Sequence, residues 1–220
     1  MIVAERKPIR EILKMIEDYQ KILILGCRAC VTACAAGGQK DVEIMGSIIR
    51  IDRKRRGLPV EVYEKTIDRQ CDPLFFAPID NLITKSEVVL SMACGVGVNM
   101  LAETYPNKVV LPALNTGFMG LLEEQGVWAE RCIGCGDCIL AETAGICPLS
   151  RCPKHSLDGP CLGSINGKCV VYPENQCVWY VIYERLKTLK QLDKMERILP
   201  FKDWSKTVSP RRVIREDLRL

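Results

Sequence analysis

Thirteen cysteines in 220 residues are the side chains here whose type and spacing could do chemistry. One run reads Cys27-Arg-Ala-Cys30-Val-Thr-Ala-Cys34. Another opens with Cys132-Ile-Gly-Cys135-Gly-Asp-Cys138 and continues through Cys147, Cys152, Cys161, Cys169 and Cys177. Cys71 and Cys94 stand between the two runs. Thiolates at short regular gaps share a turn of chain and can therefore share a metal centre. C-x2-C-x2-C is the run that ligates iron–sulfur clusters. The chemistry expected is bound [4Fe–4S] clusters, at least one and as many as two or more, and the job expected is electron transfer. The strongest candidates are Cys132, Cys135, Cys138, Cys27 and Cys94. An odd number of cysteines also fits complete disulfide pairing poorly. In the cytoplasm, where this reading places the chain, tight thiol pairs read as metal ligands.

The second run has an irregularity. A ferredoxin run usually closes on a nearby Cys-Pro. Here Cys147-Pro148 is delayed, so Ile139 to Ile146 is an insertion. The fourth ligand stays open among Cys147, Cys152, Cys161, Cys169 and Cys177. Eight cysteines in this half can serve two clusters, or one cluster and one zinc. The single histidine, His155, reads as a surface residue.

The elements that position these thiols follow from apolar periodicity. Residues 8–19 predict a helix with Pro8 in its first turn and Ile9, Ile12, Leu13 and Ile16 on one face. Ile22-Leu23-Ile24-Leu25 predicts a strand buried on both faces. Further helices are expected over 40–54, over 73–84 with an irregularity at Pro78, and over 97–104. Further strands are expected at Pro59–Tyr63, Val88–Leu90 and Val109–Leu111. Strands alternating with helices imply a parallel sheet, so residues 1–126 read as a Rossmann-like or flavodoxin-like α/β domain. Cys27 then lies just past the first strand, Cys71 a few residues past the second and Cys94 just past the third. The carboxyl ends of parallel strands line the ligand crevice. Together with Cys30 and Cys34, placed where the next helix begins, they give five candidates for one cluster. A helix N-terminus favours anionic thiolates. Inert buried cysteines and a zinc site are the alternatives.

Residues 127–200 read as a cysteine-rich, ferredoxin-like segment with too few large apolar side chains to hold itself together without metal. A long helix is expected over 175–198, striped by Val178, Ile182, Leu186, Leu189, Leu192 and Met195, packed on the α/β domain and stopped by Pro200. Tyr180 and Tyr183 on that helix are placed to shield a cluster from water. Residues 201–220 read as an extended basic tail suited to wrapping a partner.

The charge balance, 31 basic against 27 acidic residues for a net +4, is too mild for a nucleic-acid binder. The basic patch of Arg50, Arg53, Lys54, Arg55 and Arg56 reads as a solvated or docking face, as does the tail patch of Arg211, Arg212, Arg215 and Arg219. No apolar stretch reaches the roughly 20 residues of a membrane helix, and the start lacks the pattern of a signal peptide. Gly95-Val96-Gly97 lacks the third glycine of a phosphate-cradling loop. No nucleophile–base pair or carboxylate pair suggests a substrate site.

Several stretches carry a family resemblance. They are Cys27 through Cys34 with Ala-Ala-Gly-Gly, Gln70-Cys71-Asp72-Pro73, Leu90 to Gly97 around Cys94, and Pro112-Ala-Leu-Asn-Thr. Further on come Arg131-Cys132 to Cys138, Gly145-Ile-Cys147-Pro148, Cys152-Pro-Lys, Gly159-Pro-Cys161-Leu-Gly, Gly167-Lys-Cys169 and Cys177-Val-Trp. On these the chain resembles the MetV family, the small cysteine-rich subunits of MetVF-type methylenetetrahydrofolate reductases, also known as the methylenetetrahydrofolate reductase C-terminal domain family. The resemblance implies a non-catalytic redox subunit that docks on a flavin-containing MetF-type subunit. That partner reduces 5,10-methylenetetrahydrofolate in the reductive acetyl-CoA (Wood–Ljungdahl) pathway, with electrons supplied by an external donor protein. The family has also been described as zinc-binding, so a structural zinc subunit that only stabilises or tethers the reductase is the alternative.

Overall fold

Ile22 to Leu25 are fully buried at the centre of a parallel sheet in the computed structural model, which describes residues 1–219. Two compact units divide the chain, Met1–Trp128 and Ala129–Leu220. In the first, β1 (Ile2–Arg6) and α1 (Ile9–Met15) precede β2 (Lys21–Cys27). Then come α2 (Cys30–Ala33), α3 (Gln39–Arg55), β3 (Glu61–Ile67), α4 (Asp80–Lys85), β4 (Val88–Met92), α5 (Gly95–Thr104) and β5 (Val109–Pro112). The four parallel strands lie in the order β3-β2-β4-β5. The chain therefore leaves β2 to one side to make β3 and crosses to the other side to make β4. That reversal beside β2 is a topological switch point, where a crevice opens at the carboxyl ends of the strands.

The strand β2 feeds two cores. Ile22 and Ile24 pack with Ile12 and Ile16 and with Val42, Met45 and Ile49 of α3 on one face. Leu23 and Leu25 pack with Phe76, Ile79, Ile83 and Leu101 on the other. Alternate residues of a strand point to opposite faces, so a continuous apolar run is what burial on both sides demands.

Several expectations need correction. The helix expected over 8–19 stops at Met15, and buried Arg53 caps its end. Arg53 donates to the carbonyls of Glu17 at 2.8 Å, Ile16 at 2.5 Å and Tyr19 at 3.2 Å. A cation at a helix C-terminus satisfies orphan carbonyls, so this member of the basic patch is structural. The second strand lies later than expected, at Glu61–Ile67, because an edge strand keeps polar residues on its open face. The 73–84 helix is irregular as expected. Two short 3-10 turns, Pro73–Phe75 and Ala77–Ile79, lead into α4. A second, antiparallel sheet was not foreseen. It runs β1-β6-β7, with β6 at Leu114–Glu124 and β7 at Val127–Cys132. The first strand pairs with β6 through Val3↔Phe118 and Arg6↔Leu114, with a bulge between Val3 and Ala4.

The second unit has little regular structure: α6 (Pro148–Arg151), a two-stranded hairpin of β8 (Ser164–Ile165) and β9 (Lys168–Cys169), and α7 (Val178–Thr188). No ferredoxin-like repeat of strands and helices is present among the described residues. The long helix expected over 175–198 ends ten residues early. Lys190 takes a left-handed φ of 57°, Gln191 N–H donates to Leu186 O at 2.9 Å and Lys190 N–H to Lys187 O at 3.1 Å. This is a Schellman stop with lysine where glycine usually signals it. The stripe of Val178, Ile182 and Leu186 packs with Ala144, Ile146, Cys152 and Leu192 of its own unit. Leu189 and Met195 are exposed. Among the described residues no helix is long and apolar enough to cross a membrane.

Candidate metal centres

All thirteen thiols are free. In the first unit the register aligns three strand ends: Cys27 of β2 stands opposite Ile67 of β3, and Gly26 opposite Met92 of β4. Cys71 and Cys94 follow β3 and β4 closely, so three neighbouring strands deliver thiols to one rim beside the switch point. The proximity is felt electrostatically. Burial pushes the Cys27 thiol up, and the thiolates of Cys94 and Cys71 push it further, against backbone hydrogen bonds that lower it. Cys94 is the N-cap residue of α5.

The loop bearing Cys71 is held by fully buried Gln70. Its Nε2 donates to Leu25 O at 2.7 Å, and Ser91 Oγ donates to its Oε1 at 2.7 Å. The loop after β4 is tied by Gly95 N–H donating to Thr116 Oγ1 at 2.7 Å. Gly37 accepts the Cys27 N–H at 2.9 Å, and a Cβ on it would meet Met92 O at 1.9 Å. Only glycine lets these backbones approach so closely. Gln70, Ser91, Thr116 and Gly37 position the site; all four lie in the stretches that carry the family resemblance, but none was expected as a site residue.

Cys30 and Cys34 do not both sit at a helix start. The helix α2 is a single turn that Cys30 begins and Cys34 ends. Cys34 is buried, and its Sγ lies 3.5 Å from Ile2 O. Burial raises its thiol, and Cys30 raises it further, partly offset by the backbone of Ala4. Cys34 thus touches β1 while sharing an apolar group with Cys27 and Cys94. Within the apolar group that includes Cys27, Cys34 and Cys94, Trp128 Nε1 is buried with no hydrogen-bond partner. An orphaned buried donor is costly, and one beside thiols suits an acceptor such as a bound sulfide.

In the second unit the Cys132–Cys138 loop is wound by Gly134 at φ 66° and Gly136 at φ 81°. Gly134 N–H points at Cys132 Sγ, 3.3 Å away. Amide donors to cysteine sulfur are among the devices that set cluster potential. Cys135 is buried, while Cys132 and Cys138 are exposed. The tail does not hang free, as expected of a partner-wrapping segment; it grips this loop. Lys202 Nζ, its side chain 3% exposed, donates to Asp137 O and lies 3.8 Å from Asp137 Oδ2. Asp203 N–H donates to Asp137 Oδ2 at 3.2 Å, and Arg211 donates to Gly134 O. A Cβ on Gly136 would stand 3.1 Å from Lys206.

The insertion of residues 139–146 is anchored to the helical layer: Arg185 Nε donates to Ala144 O at 2.9 Å and Lys194 Nζ to Ala141 O at 2.7 Å. Beyond it, Cys152, Cys161, Cys169 and Cys177 line one cavity, with Trp179 and Tyr172 in its wall. Backbone N–H of Gly163 and nearby Lys154 hold the Cys161 thiol below its ordinary value. Tyr180 and Tyr183 are not part of this wall; Tyr180 lies against the Gly167 turn and Tyr183 pairs with Lys187. His155 is exposed, its Nδ1 2.5 Å from Leu149 O.

The grouping is one of loops and cavity walls. Among the described residues, no three cysteine, histidine or carboxylate side chains already stand close enough to hold one ion together. The donor set fits a sulfur-seeking centre: sets of thiols without disulfides, amide donors aimed at sulfur, and left-handed glycines at the turns. Thiolate-rich sites select zinc or iron–sulfur clusters.

Residues 111–205 match the family model described as methylene-tetrahydrofolate reductase C terminal. That stretch is under half of the chain and holds all eight cysteines of the second run. No curated protein and no solved structure matches the chain.

Proposed function

We propose that this chain is the iron–sulfur redox subunit of a methylenetetrahydrofolate reductase. It relays electrons from a donor protein to the flavin of a MetF-type catalytic subunit in the reductive acetyl-CoA pathway. The observation that carries this reading is the placing of the free thiols on built frameworks, the strand ends, the glycine-wound loop and the cysteine-lined cavity. The similarity of residues 111–205 to the reductase C-terminal family supports the association with that reductase.

Iron–sulfur clusters, when bound, take up and release single electrons at potentials set by charge, hydrogen bonds and exposure. The chain's own residues would do the rest. Cys27, Cys71 and Cys94 would hold one centre at the switch point, with a fourth thiolate from Cys30 or Cys34. Cys132, Cys135 and Cys138 would hold another. Gly134 N–H takes up charge on Cys132 Sγ, and the ammonium of Lys202 does the same for the loop as a whole. Chemistry on the folate falls to the partner.

The chain purified anaerobically with its reductase partner is expected to contain iron and acid-labile sulfide and to show visible absorbance that dithionite bleaches. Cys135→Ser is expected to slow reduction by the natural donor while sparing flavin reduction by a small dye. A colourless protein holding zinc alone would replace this reading with a tethering role.

A further inference from the structure

The eight cysteines of the second unit could be shared between centres in many ways, and their spacing decides nothing. The fold does. Ser164-Ile165 and Lys168-Cys169 form a hairpin closed by Asn166-Gly167, at φ 49° and 76°. Both central residues are left-handed, as the two-residue turn favoured in hairpins requires. This sets Cys169 opposite Ser164 and two residues from the turn. The next segment adds to the hairpin edge: Lys168 bridges Gln176, Cys169 N–H donates to Asn175 O at 3.0 Å, and Cys177 N–H donates to Gly167 O at 2.8 Å. On the other side Val170 N–H donates to Gly163 O at 2.8 Å, and Cys161 Sγ lies 3.3 Å from where a Cβ on Gly163 would be. Three of the cysteines thus lie on the strand and the two flanks of one hairpin and line one cavity. The fourth, Cys152, follows α6, and the 152–161 loop is held against α7 by Trp179 Nε1 donating to Ser156 O at 3.0 Å. Cys147 is absent from this cavity wall. It precedes α6, whose Pro148 and Leu149 are buried between it and Cys152.

We infer that Cys152, Cys161, Cys169 and Cys177 form a single four-thiolate metal centre, and that Cys147 is the fourth thiolate of the Cys132–Cys135–Cys138 centre. The ligands are therefore partitioned in sequence order. This departs from the two-cluster ferredoxin arrangement, in which the cysteine of the closing Cys-Pro serves the other cluster. The inference rests on the reading of these cysteines as metal ligands, and it stands whether the cavity centre is an iron–sulfur cluster or one zinc ion, since four thiolates suit both.

The test uses the intact chain with its reductase partner, purified anaerobically. A chelator removes metal in steps, exposed thiols are alkylated at each step, and mass spectrometry identifies them while iron, sulfide and zinc are counted. Cys152, Cys161, Cys169 and Cys177 are expected to become reactive together, as about four iron atoms or about one zinc leave. Cys132, Cys135, Cys138 and Cys147 are expected to respond together in a separate step. Cys161→Ala and Cys169→Ala are expected to lose the same metal, and Cys135→Ala and Cys147→Ala to lose the other. Co-release of Cys147 with the cavity thiols, or loss of one shared centre from Cys161→Ala and Cys135→Ala alike, would overturn the partition. Metal-free wild-type protein would instead overturn the reading on which it rests.

Discussion

Replacing Gln70 with methionine tests whether a buried amide, rather than a cysteine, sets the geometry of the strand-end site. The amide donates to Leu25 O and accepts from Ser91 Oγ, and Gln70 and Ser91 are both fully buried. Methionine keeps the apolar volume but leaves the Ser91 hydroxyl unpaired, at about 1–3 kcal/mol, and removes a hydrogen bond worth about 1 kcal/mol. Gln70→Met is therefore expected to cost about 2–4 kcal/mol. Ser91→Ala alone orphans Gln70 Oε1 and is expected to cost about 1–3 kcal/mol. In the Gln70→Met background, however, Ser91→Ala removes a group that no longer has a partner, and it should cost nothing or stabilise. The four proteins form a double-mutant cycle, read by anaerobic urea unfolding of the full chain, with the change in midpoint compared at constant slope. Iron content is measured in parallel, because the Gln70 loop carries Cys71. Additive costs in the cycle would refute the reasoning, as would full iron content in a Gln70→Met chain that is several kcal/mol less stable.

Three further outcomes are expected. Lys190→Gly relieves a left-handed lysine at the end of α7 and should stabilise the second unit by about 1 kcal/mol, read as a raised unfolding midpoint; no gain would mean the Schellman stop is unstrained. Lys202→Met withdraws a buried ammonium from the Cys132–Cys138 loop and should lower the potential of the cluster proposed there by about tens of millivolts, the order expected for a charge near it, in an anaerobic redox titration. In the metal-free chain the Cys27 and Cys34 thiols are raised, chiefly by burial. Their contribution to stability is complete below the ordinary thiol range and falls as pH climbs through the raised folded values, because the unfolded thiols ionise first. Urea midpoints should drop at alkaline pH, and Cys27→Ala should flatten the drop.

Much of the first unit was legible because burial on both faces writes itself as Ile22-Leu23-Ile24-Leu25, and because helix α3 repeats Val42, Met45 and Ile49 at helical spacing. Strand-end placement of Cys27, Cys71 and Cys94 followed from those elements. The antiparallel sheet was hidden because β6 is largely exposed and interrupted by Gly117 and Gly120, so no apolar alternation marks it. The end of α7 was hidden because Lys190 occupies the position where glycine would have announced a stop. The grouping of Cys152, Cys161, Cys169 and Cys177 has no motif in its gaps. One signal could have found it: Asn166-Gly167 is a strong hairpin marker, and it folds the intervening residues back on themselves. The grip of Lys202 and Arg211 on the loop depends on contacts between residues far apart in sequence, which no local pattern encodes.

That grip imposes an order on biogenesis. Asp137 leaves the ribosome 65 residues ahead of Lys202, and Gly134 leaves 77 ahead of Arg211. During synthesis the loop of Cys132, Cys135 and Cys138 is thus made before the segment that grips it. The loop takes its gripped form only once the basic segment has been made, so a chain cut short before Lys202 would leave these three cysteines without the contacts that hold their turn.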